Sequence, residues 1–223
     1  MSVNIQQYKK ILAELPENVK LVAVSKFKPA SDIKELYDAG HRDFGENYVQ
    51  ELTDKQAELP FDIRWHFIGH LQSNKVKYIA PFVHLIHGVD SFKLLSEINK
   101  HGLKNNRVIE VLLQIYIASE ETKFGLSEEE LDELMQRIAA DPENWKGVRV
   151  KGLMGMASFS DDMSLVEREF STLKSLYDRY AQTSVPAVVF DTLSMGMSND
   201  YQLAIRCGST MIRVGSLLFG ARQ

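Results

Sequence analysis

The stretch VKLVAVSK, Val19 to Lys26, decides the fold. Its four consecutive apolar residues, Leu21 to Val24, are too few for a core helix and read as a buried strand. Outward from this run, strand-like segments alternate with helix-like ones to the end of the chain. The further strand candidates are HRDFG (from His41), IRWHFIG (from Ile63), VHLIHGV (from Val83), RVIEVLLQIYI (from Arg107), VRVKGLMGM (from Val148), AVVFDTLSM (from Ala187) and TMIRVGS (from Thr210). Among the helices, Val166, Phe170, Leu173, Tyr177 and Tyr180 have the three-and-four spacing of one buried face. Ser127 with Glu130 three residues on is a capping box, and its inward stripe is Leu131, Leu134, Met135 and Ile138.

Eight strands alternating with helices point to a parallel sheet, and eight is the number that closes a (β/α)8 TIM-type barrel. A doubly wound open sheet fits the alternation nearly as well. No Pro/Gly-rich linker, low-complexity tract or repeat divides the chain, so residues 1–223 are expected to form a single domain. Barrel active sites lie at the C-terminal ends of the strands, and phosphate often binds after strands 7 and 8. In a closed barrel Lys26 ends strand 1, Ser194 to Ser198 follow strand 7, and Gly215 and Ser216 follow strand 8. Residues remote in sequence therefore converge on one mouth. An amine at a strand end can meet a carbonyl compound, and small residues with bare N–H groups can grip a phosphate. Together they suggest pyridoxal phosphate held as a Schiff base.

The composition sets the class. The chain is 44% hydrophobic and 25% charged with a formal net charge of −4, an ordinary globular balance that argues against a nucleic-acid protein. One cysteine, Cys207, rules out an internal disulfide framework and suits a reducing cytoplasm. The first twenty residues lack a signal-peptide core, and no stretch approaches the roughly 18 apolar residues of a membrane span. A soluble cytoplasmic protein is expected.

Each motif also has a plain reading. Most lysines are simply exposed, but Lys26 follows LVAV at a strand end, where partial desolvation lowers its pKa and supplies a neutral amine. Lys28, before Pro29, belongs to the loop. SMGMSND precedes the helical YQLAIRCG, so Ser198 or Asn199 is a fair N-cap; the same helix start also suits an anion. Gly215 lets backbone approach a ligand, and Ser216 adds a hydroxyl and an N–H. Arg213 is a charge inside an apolar strand, so it has an acidic partner or a ligand. Glu46, in FGENYVQE, reads as a helix-start acid, and Asn47 can reach into the mouth. His66 and His70 are four apart but span a strand and a loop, so a metal is rejected; His84 and His87 flank a strand and look structural. Cys207 falls in a helical pattern with no catalytic partner.

These segments together resemble the pyridoxal phosphate homeostasis protein family, whose fold matches the N-terminal barrel of alanine racemase. The matching stretches are AVSKFKP, FGENYVQE, WHFIGHLQSNK, the KFG within Glu121–Gly125, KGLMGM, DTLSMGMSND and GSTMIRVGSLLFGAR, in order from Val22 to Arg222. The resemblance implies a single barrel with an extra N-terminal helix. It puts the Schiff-base lysine on Lys26, the phosphate-binding serine on Ser198 with Ser194 nearby, and the phosphate-gripping backbone on Gly215 and Ser216. It puts the arginine facing the pyridine nitrogen on Arg213, and places Asn47 and Met156 beside the ring. One departure is QIYIA, where relatives often have Asn: Tyr116 puts a pocket role there in doubt. His70 in place of Pro is minor.

The same resemblance bears on turnover. An arginine beside the pyridine nitrogen stays charged, disfavours ring protonation and weakens the electron sink. In alanine racemase a second base comes from a separate C-terminal domain, whereas here Gln223 comes seven residues after Ser216. The expectation is a monomeric, non-catalytic carrier that stores pyridoxal phosphate and delivers it to apo-enzymes. The alternative is a low-activity amino-acid racemase using Lys26 as one base.

Overall fold

A computed structural model describes residues 3–118 and 124–220. Lys123 of the KFG motif and Arg222 lie outside the described residues. All eight expected strands form, and they close into one parallel barrel in sequence order: β1 (Lys20–Val24), β2 (Asp43–Glu46), β3 (Arg64–Phe67), β4 (Leu85–Val89), β5 (Ile109–Ile115), β6 (Val148–Gly155), β7 (Val188–Ser194) and β8 (Met211–Val214). Closure comes from β1 lying parallel to β8, with Lys20 opposite Met211 and Ala23 opposite Val214. That pairing excludes the open sheet. An extra helix, α1 (Ile5–Glu14), precedes β1 as expected, its first turn capped by the Asn4 side chain.

Side chains alternate along each strand and so sort into two cores. The larger lies between barrel and helices; the smaller fills the lumen with Val22, Leu85, Leu112, Met154 and Met211, and Met156 packs on it. The short strand β2 follows the same rule despite its polarity, since Phe44 turns fully into the outer core while Asp43 and Gly45 alternate with it. The helices supply matching outer stripes. One of them, Glu128–Ala140, has the predicted capping box at Ser127 and buries Leu131, Leu134, Met135 and Ile138. Another, Met163–Tyr180, buries Val166, Phe170 and Leu173, while Tyr177 and Tyr180 pack at its margin.

The register of β5 on β6 slips by one residue in β6 just before Gly152, whose φ is +145°. That of β6 on β7 slips beside it, with the extra residues in β7 between Val188 and Thr192. A Cβ there would lie 1.9 Å from the Thr192 carbonyl oxygen. The bulge therefore depends on a bare backbone. Gly152→Ala is expected to lower unfolding free energy by about 3 kcal/mol or more, read from the midpoint of urea denaturation.

Candidate functional site

Because the strands are parallel, their C-terminal ends form one mouth, and the registers locate each candidate around it. Val24 of β1 lies opposite Gly45 of β2, so Lys26 and Asn47, each two residues further on, leave neighbouring strands at the same level. Val22 lies opposite Arg213 in β8, which places Arg213 deeper in the barrel than Lys26. Gly215 leaves β8 against Val24: a Cβ there would stand 3.1 Å from the Val24 carbonyl oxygen. Its N–H donates to the Ser198 hydroxyl at 3.3 Å, joining the segments after β7 and β8. Ser216 opens a short helix, Ser216–Phe219, and is exposed, while Lys26 is half-buried. The helix after SMGMSND runs Tyr201–Arg206, and its cap position is Asp200 rather than Ser198 or Asn199. Asp200 accepts from the Met197 N–H at 2.6 Å, which leaves the Ser198 hydroxyl turned toward Gly215.

Arg213 is 4% exposed and donates from Nη1 to the Ser194 hydroxyl at 2.6 Å and from Nη2 to the Gly155 carbonyl at 3.0 Å. Of the acidic partner or ligand expected for it, the acid is absent: among the described residues no carboxylate lies within ion-pair distance of the guanidinium. Burial lowers its pKa to about 10, opposed by the Asp200 charge, so the group remains a cation at neutral pH. Ser194 is fully buried, and its hydroxyl meets Arg213 and His87 instead of joining Ser198 at the rim. Met156 follows Gly155 and packs on the lumen cluster. Asn47 Oδ1 is buried without a hydrogen-bond partner. A buried acceptor left unsatisfied beside an amine and above a cation fits a ligand that carries donors and acceptors of its own.

Beneath Lys26 the chain is held by charges that the sequence reading missed. Glu46 is the last residue of β2 and fully buried, not a helix-start acid. Its Oε1 accepts from Ser25 Oγ at 2.6 Å and from Lys55 Nζ at 2.7 Å. Lys55, on the helix Val49–Glu58, also donates to the Ser25 carbonyl at 2.8 Å and to Glu51 Oε1 at 2.7 Å. Glu51 in turn accepts the Phe27 N–H at 2.6 Å. Both neighbours of Lys26 are thus anchored to one ion network, and Phe27 keeps a positive φ of 63° within it. Such strain persists only where the surroundings over-determine the backbone. The i, i+4 spacing of Glu51 and Lys55 was the available signal, but it reads as an ordinary solvated pair.

The histidines also group differently from their spacing. His87 lies inside β4 and is fully buried; it does not flank the strand. His66 meets Asp43 and His84, with ligand-type atoms all within 4.8 Å of one another, while His70 lies on the exposed side against Asp90. Arg64 holds both Asp43 oxygens in that group, and its cation repels a second one. At Cys207, the residue closing Tyr201–Arg206, burial raises the thiol pKa.

Comparison with known proteins supplies relatives. The model of the family described as alanine racemase, N-terminal domain, matches residues 1–223. A pyridoxal phosphate homeostasis protein of Pasteurella multocida is 40% identical over 217 residues, 95% of this chain and 90% of the relative. The structure of PipY from Synechococcus elongatus with pyridoxal phosphate bound superposes with a TM-score of 0.87 at 34% identity, covering 96% of this chain and 99% of that one. An alanine racemase of Bartonella henselae shares the fold alone, with a TM-score of 0.74 at 15% identity over 99% of this chain and 60% of its own. No helix among the described residues is long and apolar enough to cross a membrane.

Two outcomes follow from these charges. Lys55→Met strands the Glu46 carboxylate and is expected to cost about 3–5 kcal/mol of unfolding free energy in urea, with Glu46→Gln in the same chain recovering part of it. Burial also lowers the pKa of His41, His66, His84 and His87, those of His41 and His84 to about 4. The unfolded chain, with histidines near 6.5, then binds more protons than the folded one. Stability present above pH 6.5 should fall as pH drops toward 4, by about 1.4 kcal/mol per pH unit for each such histidine. Glu46, whose pKa is raised by burial, works with the opposite sign. Urea unfolding at pH 7 and pH 5.5 measures the slope; equal stabilities would refute the neutral buried imidazoles.

Proposed function

The chain belongs to the pyridoxal phosphate homeostasis protein family, within the alanine racemase N-terminal domain group, and from that premise we propose that it binds pyridoxal 5'-phosphate and serves its storage and delivery. The observation that carries the reading is Arg213, a buried cation with only neutral contacts, set below an amine at the same mouth. Two of its five N–H groups are committed to Ser194 and Gly155, which leaves donors for a ring acceptor. Ser198 and the Gly215 backbone would hold the phosphate, with the exposed Ser216 N–H beside them. Asn47, with its unpartnered oxygen, and Met156, on the lumen cluster, would border the ring.

In this reading Lys26 holds the cofactor as a Schiff base. Its Nζ would be the amine that meets the cofactor's aldehyde and tethers it at the mouth. Bound there, the cofactor's conjugated ring supplies an electron sink. Arg213 stays charged beside the ring nitrogen and opposes its protonation, which limits that sink. The favoured role is therefore a non-catalytic monomeric carrier in the cytoplasm, handing the cofactor to apo-enzymes. The second reading is a slow racemase, favoured by the amine at Lys26, which could act as a base on one face of a substrate.

The deciding experiment is the visible spectrum of the protein incubated with pyridoxal phosphate, before and after borohydride, with peptide mapping. A coloured adduct that bleaches on reduction and maps to Lys26 is expected, with none in Lys26→Ala. A protein that stays colourless would sink the cofactor reading. Incubation of the loaded protein with L-amino acids in heavy water separates the two roles. Fast α-proton exchange, lost in Lys26→Ala, would overturn the carrier.

A further inference from the structure

Four hydrogen bonds run end to end across the lumen from β8 to β2. Arg213 Nη1 meets Ser194 Oγ at 2.6 Å, and Ser194 Oγ meets His87 Nδ1 at 3.2 Å. His87 Nε2 meets His66 Nδ1 at 2.9 Å, and His66 Nε2 meets Asp43 Oδ1 at 3.0 Å. Ser194 and His87 are fully buried and His66 is 1% exposed, so the inner links are shut off from water. Asp43 at the far end is gripped by Arg64, whose side chain is 48% exposed.

The direction of every proton in this chain follows from its two ends. A guanidinium can only donate, so Ser194 accepts from Arg213. From the other end, the Asp43 carboxylate can only accept, so a neutral His66 carries its hydrogen on Nε2. Its Nδ1 then takes a hydrogen bond from His87 Nε2, which leaves His87 Nδ1 bare to accept the one proton of Ser194. A reversed imidazole anywhere would set two donors or two acceptors against each other in a buried site, at the full cost of an unmade hydrogen bond. One arrangement satisfies all four links, with both rings neutral.

We propose that His87 and His66 are positioning residues for Arg213, forming with Ser194 and Asp43 a one-way hydrogen-bond chain that holds the guanidinium in place at the floor of the site. By passing its proton to His87, Ser194 becomes a better acceptor for Arg213, because linked hydrogen bonds polarise one another. The chain ends on a carboxylate, so it compensates a buried cation that no acid touches. That Arg213 in turn meets the ring of pyridoxal phosphate rests on the function proposed above.

The test has two arms. In the first, the 15N spectrum of the histidine side chains is recorded at neutral pH on the labelled protein without cofactor. His66 and His87 should each be neutral with hydrogen on Nε2 and a bare Nδ1. A proton on Nδ1 of either ring overturns the proposal. In Ser194→Ala the nitrogens of both rings should shift, while those of His41, His70 and His101 stay; a His66 unmoved by that change also overturns it. In the second arm, pyridoxal phosphate affinity is measured by absorbance for His87→Leu and His87→Gln. Leu, which can neither accept nor donate, should weaken binding about tenfold, and Gln, which can do both, should stay within about twofold of the parent. Equal losses would reduce His87 to a packing role. If the parent protein takes up no pyridoxal phosphate, the proposed function fails while the first arm still decides the chain.

Discussion

The parallel pairing of β1 with β8 is the interaction on which the rest depends. It joins the two ends of the sheet and leaves no edge strand, so every backbone N–H and C=O along the ring can find a partner on both sides. The same pairing sets Val22 beside Arg213 and Val24 beside Gly215. An amine from the first strand, a cation from the last and a bare glycine amide are thereby assembled into one mouth. Without closure they would sit on opposite edges of an open sheet.

Two buried cations near that mouth are treated in contrasting ways. Lys55 meets Glu46 and Glu51 directly and is consumed in fastening Ser25 and Phe27, the neighbours of Lys26. Arg213 meets a hydroxyl and a carbonyl, with its nearest chain-linked carboxylate, Asp43, beyond two imidazoles. Direct neutralisation suits a clamp, because a paired charge has little left to offer a ligand. Compensation at a distance keeps the guanidinium oriented and charged while leaving donors uncommitted. In the proposed reading this difference separates the clamp from the part of the site that would meet the ligand.

The arrangement also bears on the proposed carrier role of a barrel related in fold to alanine racemase. In the proposed reading, a fixed cation facing the ring nitrogen would oppose its protonation, and a rigid floor would resist the adjustments that allow it. The clamp adds rigidity above, since Phe27 is held at a positive φ by contacts on both sides.

The eight strands, the capping box at Ser127 and the buried stripe from Leu131 to Ile138 were legible because they are local: apolar runs of strand length and a three-and-four spacing follow from backbone geometry alone. That Lys26, Ser198 and Gly215 follow their strands at one mouth, with Arg213 inside the last strand, was legible too once a parallel barrel was assumed. What stayed hidden was partnership. Glu46 read as a helix-start acid and His87 as a flanking residue, yet the fold turns Glu46 onto Lys55 and links His87 to Ser194, 107 positions away. Arg213 was expected to have an acidic partner or a ligand, and among protein groups the fold offered it Ser194 and Gly155. Sequence by itself determined where the apolar strands and helix stripes run, since these follow local pattern. Tertiary structure alone decided which buried charge meets which acceptor, because hydrogen bonds act over about 3 Å and only closure of the barrel brings those atoms together.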